Sequence, residues 1–171
     1  MEELFTISVY TENNPGLLNR IATIFLKRHI NIESLNVSKS EIENVHRFTI
    51  VARMTEVSVK KLVGQIEKQI EVIKAYYHRD DEIIFHETAL YKIASSLLFE
   101  KREIQNIIKK SHATIVTVNP KFFVIEKTGF RKETEALYDE LAPYGIMQFV
   151  RTGRISVSKT EMRISEQLKN L

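Results

Sequence analysis

Residue types that carry chemistry are few in this chain, and their spacing excludes most reactions. The five histidines, His29, His46, His78, His86 and His112, form no i, i+4 pair and have no carboxylate at a metal-binding interval. They read as ordinary strand and surface positions. The lack of cysteine removes thiol nucleophiles, Cys-based zinc sites and disulfides, and it fits a reducing compartment. Five scattered glycines build neither a GxGxxG nor a Walker loop. Asp80-Asp81-Glu82 is a carboxylate cluster, but it stands at a short charged joint and reads as solvated linker. An enzyme in its own right finds no nucleophile, base or cofactor loop here.

One loop remains, Asn13-Asn14-Pro15-Gly16-Leu17-Leu18. It reads in two ways. In the first it is only a strand-to-helix turn, with Asn14 as the cap and Pro15 at the first helical position, where a missing N–H costs nothing. In the second, the free N–H groups of Gly16, Leu17 and Leu18 face outward at the positive end of the helix dipole and receive a small carboxylate. Gly16 has no Cβ, so a ligand can approach its backbone closely. Asn13 offers an amide oxygen to an ammonium group, and Asn31 offers another at the start of the next strand. With Leu, Ile and Val surfaces around them, these groups describe a pocket for an apolar amino acid.

The elements that position this loop follow from periodicity. Leu4–Thr11 alternates, with Phe5, Ile7 and Val9 on one face, and predicts a half-buried strand. Leu17, Ile21, Ile24 and Phe25 mark a helix, and residues 30–39 a strand with a phase shift between Ile32 and Leu35 that suggests a bulge. Residues 46–54 form a third strand, Val59, Leu62, Val63, Ile66 and Ile70 a helical stripe, and Glu71–His78 a fourth strand. After Arg79-Asp80-Asp81 the same order returns. Residues 82–94 are extended, Phe99–Ser111 helical, and Ala113–Val118 and Phe122–Lys127 are strands. Thr134, Leu137, Tyr138 and Leu141 mark the next helix. Gly145–Val150 and Ile155–Ser158 then close the sheet around a Thr152-Gly153 turn. The fold class is therefore α+β, two tandem ferredoxin-like βαββαβ domains at 1–78 and 79–171. Lys159–Leu171 reads as a polar, frayed tail.

Composition agrees with this plan. The 171 residues are 43% hydrophobic and 27% charged, enough to bury two cores without staples. The net charge is +3, yet residues 1–78 carry 10 basic against 9 acidic side chains and residues 79–171 carry 15 against 13. This even mixture builds no basic face for nucleic acid. RNA-recognition domains share the topology, but His46-Arg47-Phe48-Thr49-Ile50-Val51 lacks their glycines and second aromatic residue. No window approaches a membrane span and no secretory signal opens the chain, so a soluble, cytoplasmic protein is expected.

The run Asn13-Asn14-Pro15-Gly16-Leu17-Leu18-Asn19-Arg20-Ile21-Ala22, followed by Asn31-Ile32-Glu33-Ser34-Leu35, resembles the ACT domain of the small, regulatory subunit of acetolactate (acetohydroxyacid) synthase. His46–Val51 and Gln65–Gln69 are similar to that family's third strand and second helix. Glu87–Ile93, Tyr144-Gly145-Ile146 and Val150–Arg154 are similar to its second domain, so the resemblance covers about residues 4–158. It implies a non-catalytic subunit that binds and activates a thiamine-diphosphate-dependent large subunit and confers feedback inhibition by valine or a related branched-chain amino acid. Thiamine diphosphate, Mg and FAD would then belong to the catalytic partner, with no cofactor in this chain. It also implies a homodimer through the first domain. The effector would lie between two ACT domains, held by Asn13, Gly16 and Asn31, with Leu17, Leu18 and Ile32 as neighbours.

Two departures stand out. The family usually has Gly before an aromatic residue ahead of Asn31, at a left-handed helix end, where this chain has His29-Ile30. The second repeat has Ala94-Ser95-Ser96-Leu97 in place of the Asn-Pro-Gly loop, so no second effector site is expected. The alternative to a synthase subunit is a free-standing ACT-type amino-acid sensor acting on another protein.

Overall fold

The computed structural model describes residues 1–169, which divide into two compact units. The first comprises residues 1–85 and, among the described residues, 154–169; the second is His86–Gly153.

In the first unit, β1 (Glu3–Glu12), α1 (Leu17–Lys27), β2 (Ile32–Lys39), β3 (Val45–Met54), α2 (Glu56–Ile66) and β4 (Val72–Arg79) follow in order. The antiparallel sheet is ordered β2-β3-β1-β4, the split βαβ arrangement expected. Phe5, Ile7 and Val9 are fully buried and pack with Leu17, Ile21 and Phe25 of α1 and Leu62 and Ile66 of α2. Each such side chain removed from water contributes roughly 1.5–3 kcal/mol. Thr55 starts α2, its Oγ1 accepting the Ser58 N–H at 3.2 Å. The suspected bulge is present, as a register shift between Ile32 and Ser34. Ile70 departs from the predicted stripe. The helix ends at Ile66 and the chain turns through residues 67–71, leaving Ile70 96% exposed.

The second unit contains most of β5 (Ile83–Ala94), then α3 (Ser95–Glu100), α4 (Arg102–Lys110), β6 (Thr114–Val118), β7 (Phe122–Gly129), α5 (Arg131–Leu141) and β8 (Ile146–Arg151). Its strand order, β6-β7-β5-β8, repeats that of the first sheet. Tyr91, Ile93, Ile104, Phe123, Ile125 and Leu141 form its core, and the buried Tyr91 hydroxyl donates to the Thr134 carbonyl at 2.6 Å. The single helix expected over 99–111 is instead two. Helical structure begins already at Ser95 and breaks at Lys101, whose extended backbone separates α3 from α4. Gln105 reaches back to cap the Leu98 carbonyl at 2.9 Å.

The largest departure from the repeat reading is at the C-terminal end. β9 (Ile155–Ser158) does not form a hairpin with β8; it pairs with β5, and the Lys159 N–H donates to the Glu82 carbonyl at 3.0 Å. Residues 154–169 therefore belong with the first unit, not the second, and the polar tail contains a helix, α6 (Ile164–Lys169). Arginine chemistry explains this return. The Arg154 guanidinium, in a side chain only 13% exposed, stacks over the Phe85 ring at 3.7 Å and donates to Asp80 at 2.6 Å and to Thr6 at 2.9 Å. The cluster at 80–82, expected as free linker, forms a short 3-10 turn and supplies this anchor.

Both units end their first helical segment in the same way. After α1, Ile30 N–H bonds to Phe25 O and His29 N–H to Leu26 O; after α4, Ala113 N–H bonds to Ile108 O and His112 N–H to Lys109 O. These are paired Schellman motifs, with His29 (φ 55°) and His112 (φ 53°) in the left-handed position that glycine ordinarily fills. Holding a side chain there costs about 1 kcal/mol. His29 is exposed, so His29→Gly is expected to stabilise the protein by about that amount and to raise Tm by a few degrees. Thermal unfolding checks this; an unchanged or lower Tm would show that His29 makes compensating contacts.

Candidate functional site

The loop between β1 and α1 is built around a turn. Asn14-Pro15-Gly16-Leu17 has the form of a type II turn, with proline at its second position and Gly16 at φ 83°, ψ −6° in its third. The Leu17 N–H closes it on the Asn14 carbonyl at 3.5 Å. Asn14 therefore does not cap the helix and Pro15 is not its first residue. Gly16 is the cap, no side chain caps α1, and the Asn14 amide instead donates to the Glu12 carboxylate at 3.2 Å. The turn explains the shift, because proline fixes φ near −65° just where the chain must reverse into a positive φ that glycine accepts.

As a consequence, the start of α1 is electrostatically bare. No acid lies in its first turn, Lys27 lies in its last, and the N–H groups of Leu18 and Asn19 precede any intrahelical partner. Asn13, Gly16 and Leu18 are exposed, while Leu17 is buried in the core beneath them. Arg20 pairs with Glu71, and the Glu71 carbonyl accepts the Glu12 N–H at 2.9 Å. The helix and the end of β1 are thereby both tied to the chain entering β4.

Asn31 and Ile32 lie elsewhere. α1 has 11 residues, or about 16 Å of axis, and Asn31 follows its far end. The sheet register agrees: Ile32 and Phe5, at the beginning of β1, both oppose Ala52, whereas Glu12, next to the loop, opposes Val45. Asn31 is exposed and lines a polar depression with Arg28, His29, Glu33, Arg53 and Ser58; Ile32 is half-buried against the core. Within one chain the structure thus brings Asn13, Gly16, Leu17 and Leu18 together, and Asn31 with Ile32, but it does not bring the two groups to one place.

The corresponding helix start in the second unit is occupied by its own chain. The Ser95 N–H donates to the Lys121 carbonyl at 3.2 Å, and the Ser95 hydroxyl donates to the Asn119 carbonyl. Among the described residues no group of three or more His, Cys, Asp or Glu could hold a metal ion, and no helix is long and apolar enough to cross a membrane. Spacing in the sequence overlooks Arg47, whose guanidinium lies against Ser8 and Tyr10 on the outward face of β1. A lone arginine within a strand carries no periodic signal.

The chain is thus a tandem pair of βαββαβ units, the first with an open Asn-Pro-Gly helix start. Residues 7–74 match the family described as AHAS small subunit-like ACT domain, and residues 86–160 match the small subunit of acetolactate synthase. The acetolactate synthase small subunit of Bacillus subtilis is 37% identical over 160 residues, covering 93% of this chain and 91% of the relative. The probable small subunit of Archaeoglobus fulgidus is 36% identical, covering 89% and 94%. The crystal structure of the Thermotoga maritima small subunit superposes with a TM-score of 0.84 at 25% identity, covering 94% and 99%. This chain belongs to the acetolactate synthase small-subunit family. Its ACT domain and that family membership together support a regulatory role.

Two glycines test the loop geometry. A Cβ at Gly16 or at Gly64, within α2, would meet nothing within 4 Å, so backbone conformation alone separates them. Gly16→Ala is expected to destabilise by about 1 kcal/mol because of its positive φ. Gly64→Ala is expected to stabilise by about 0.5–1 kcal/mol as a helix-interior replacement. Denaturant titration of both variants should show opposite signs, and shifts of the same sign would contradict the turn described here.

Proposed function

We propose that this protein is the regulatory subunit of acetolactate synthase. It binds and activates the catalytic large subunit in the cytoplasm and confers feedback inhibition by valine or a related branched-chain amino acid. The thiamine diphosphate, Mg and FAD of the complex belong to the catalytic partner. The effector is held between the first units of a homodimer, its carboxylate at the Gly16–Leu18 helix start with Asn13, and Asn31 and Ile32 supplied by the other copy.

The family matches across both units carry this reading, and the separation of the two residue groups is what calls for a shared pocket. A single amino acid is far shorter than the ~16 Å of helix that divides Gly16 from the corner before Asn31. A two-fold axis that sets α1 of one protomer antiparallel to its mate would place one copy's loop beside the other copy's Asn31. The bare helix start supports a carboxylate at the loop, and relatives that match across both units favour a synthase subunit over a free-standing sensor.

Gly16→Asp places a fixed carboxylate where the effector's would bind. Gly16→Asn has nearly the same shape, tolerates the left-handed conformation equally well and carries no charge. Mixed with the catalytic subunit, the Asp variant is expected to stimulate acetolactate formation while valine no longer inhibits; the Asn variant retains partial inhibition. Asn31→Ala should raise the valine concentration required by about tenfold, as for loss of one hydrogen bond worth ~1.4 kcal/mol. Co-refolding Gly16→Asp with Asn31→Ala chains should restore sensitivity in part, since one of the two sites in the mixed dimer is then intact. Wild-type valine sensitivity in a folded Gly16→Asp complex would refute the effector site. A strict monomer by light scattering, or no recovery in the mixed dimer, would refute the shared pocket.

A further inference from the structure

The outward face of β1 is covered. Thr6, Ser8 and Tyr10 alternate with the core residues of that strand, yet they are only 0%, 5% and 2% exposed. Between this face and residues 156–164 of the returning chain lies a cavity of about 150 Å³. Ser8, Tyr10, Arg47, Tyr76, His78 and Ser156 are among the side chains that line it. All belong to the first unit.

Arg47 is the unusual member. Its Nη2 donates to the Ser156 carbonyl at 2.6 Å and to Ser8 Oγ at 3.1 Å, and its guanidinium lies 5.7 Å from the centre of the Tyr10 ring. These partners are all neutral. Among the described residues no carboxylate lies within 4 Å of it, and its Nε is buried with no hydrogen-bond partner. A buried, unmatched guanidinium N–H is costly, whereas the guanidinium of Arg154, also largely buried, holds the Asp80 carboxylate. His78 adds no second cation: burial, reinforced by Arg47 against Glu82, keeps its imidazole below the ordinary range and therefore neutral near pH 7. Glu41, on the cavity wall, is the one acid that opposes an anion there.

We propose that this cavity is a binding site for a small oxyanion, a carboxylate or a phosphate, held on the Arg47 guanidinium with the hydroxyls of Tyr10 and Ser156 beside it. The site is separate from the Asn-Pro-Gly loop and does not depend on that loop binding an amino acid. Because Ser156 and its neighbours form one wall, a bound anion also fastens the returning chain to the sheet.

Calorimetry on the full chain, with acetate in one arm and inorganic phosphate in the other at constant ionic strength, tests this. Saturable binding is expected in at least one arm, and the arm that saturates identifies the chemistry. Amide hydrogen exchange across residues 154–158 should slow in the same arm. Arg47→Lys keeps the charge but removes the planar guanidinium and is expected to weaken binding at least about tenfold, which is ~1.4 kcal/mol. Glu41 is exposed, so Glu41→Gln leaves the fold intact and should tighten binding several-fold. Gly16→Asp should leave the affinity unchanged, so failure of the effector reading and failure of this one are distinguishable. No saturation with either anion, wild-type affinity in a folded Arg47→Lys protein, or no tightening in Glu41→Gln would overturn the proposal.

Discussion

β1 is buried on both of its faces, and the organisation of the first unit rests on that constraint. A strand in a two-layer sandwich normally keeps one face in water. Here Phe5, Ile7 and Val9 face the two helices, while Thr6, Ser8 and Tyr10 face a second covering layer. The hydroxyl-bearing face cannot be sealed by apolar packing alone. It is sealed by two arginines, Arg47 from within the sheet and Arg154 from the returning chain, which satisfy Ser8 and Thr6 while bonding to backbone or to Asp80. Polar satisfaction therefore performs on one side the task that hydrophobic burial performs on the other.

The loop and the corner at the two ends of α1 show a second constraint. Gly16 and His29 both adopt positive φ, one to begin the helix and one to end it. The first is chemically suited to this, and the second is held there by the Schellman bonds of Leu26 and Phe25. A rigid helix between two fixed corners sets the distance between the groups on either side.

Much of this was legible in the residues. The alternation at Phe5, Ile7 and Val9, the stripe at Leu17, Ile21 and Ile24, and the phase shift near Ile32 specify the strand, helix and bulge observed, because each is a period that burial enforces. The loop was legible as a break in the pattern between strand and helix, but not in its detail. Asn14 and Pro15 fit a capped helix as well as a type II turn, and only the backbone angle of Gly16 separates them. The role of residues 154–169 was not legible, because arginine stacking and main-chain hydrogen bonds have no period. Polar residues that are buried by pairing resemble polar residues in water. Ile70 shows the converse, since an apolar residue one turn beyond a helix end keeps the phase of the stripe without its burial.

The division of the chain also bears on how the protein is made. The first unit is interrupted at Phe85 and resumes at Arg154, so in chain topology the second unit is an insertion within it. At ribosomal rates of ~5–20 residues per second, the roughly 70 intervening residues delay completion of the first unit by several seconds. During that interval Thr6, Ser8 and Tyr10 lack their cover, and Arg47 lacks the Ser156 carbonyl. The second unit, continuous in the chain, can reach its final form before the first one does. The N-terminal half of this protein is synthesised first and completed last.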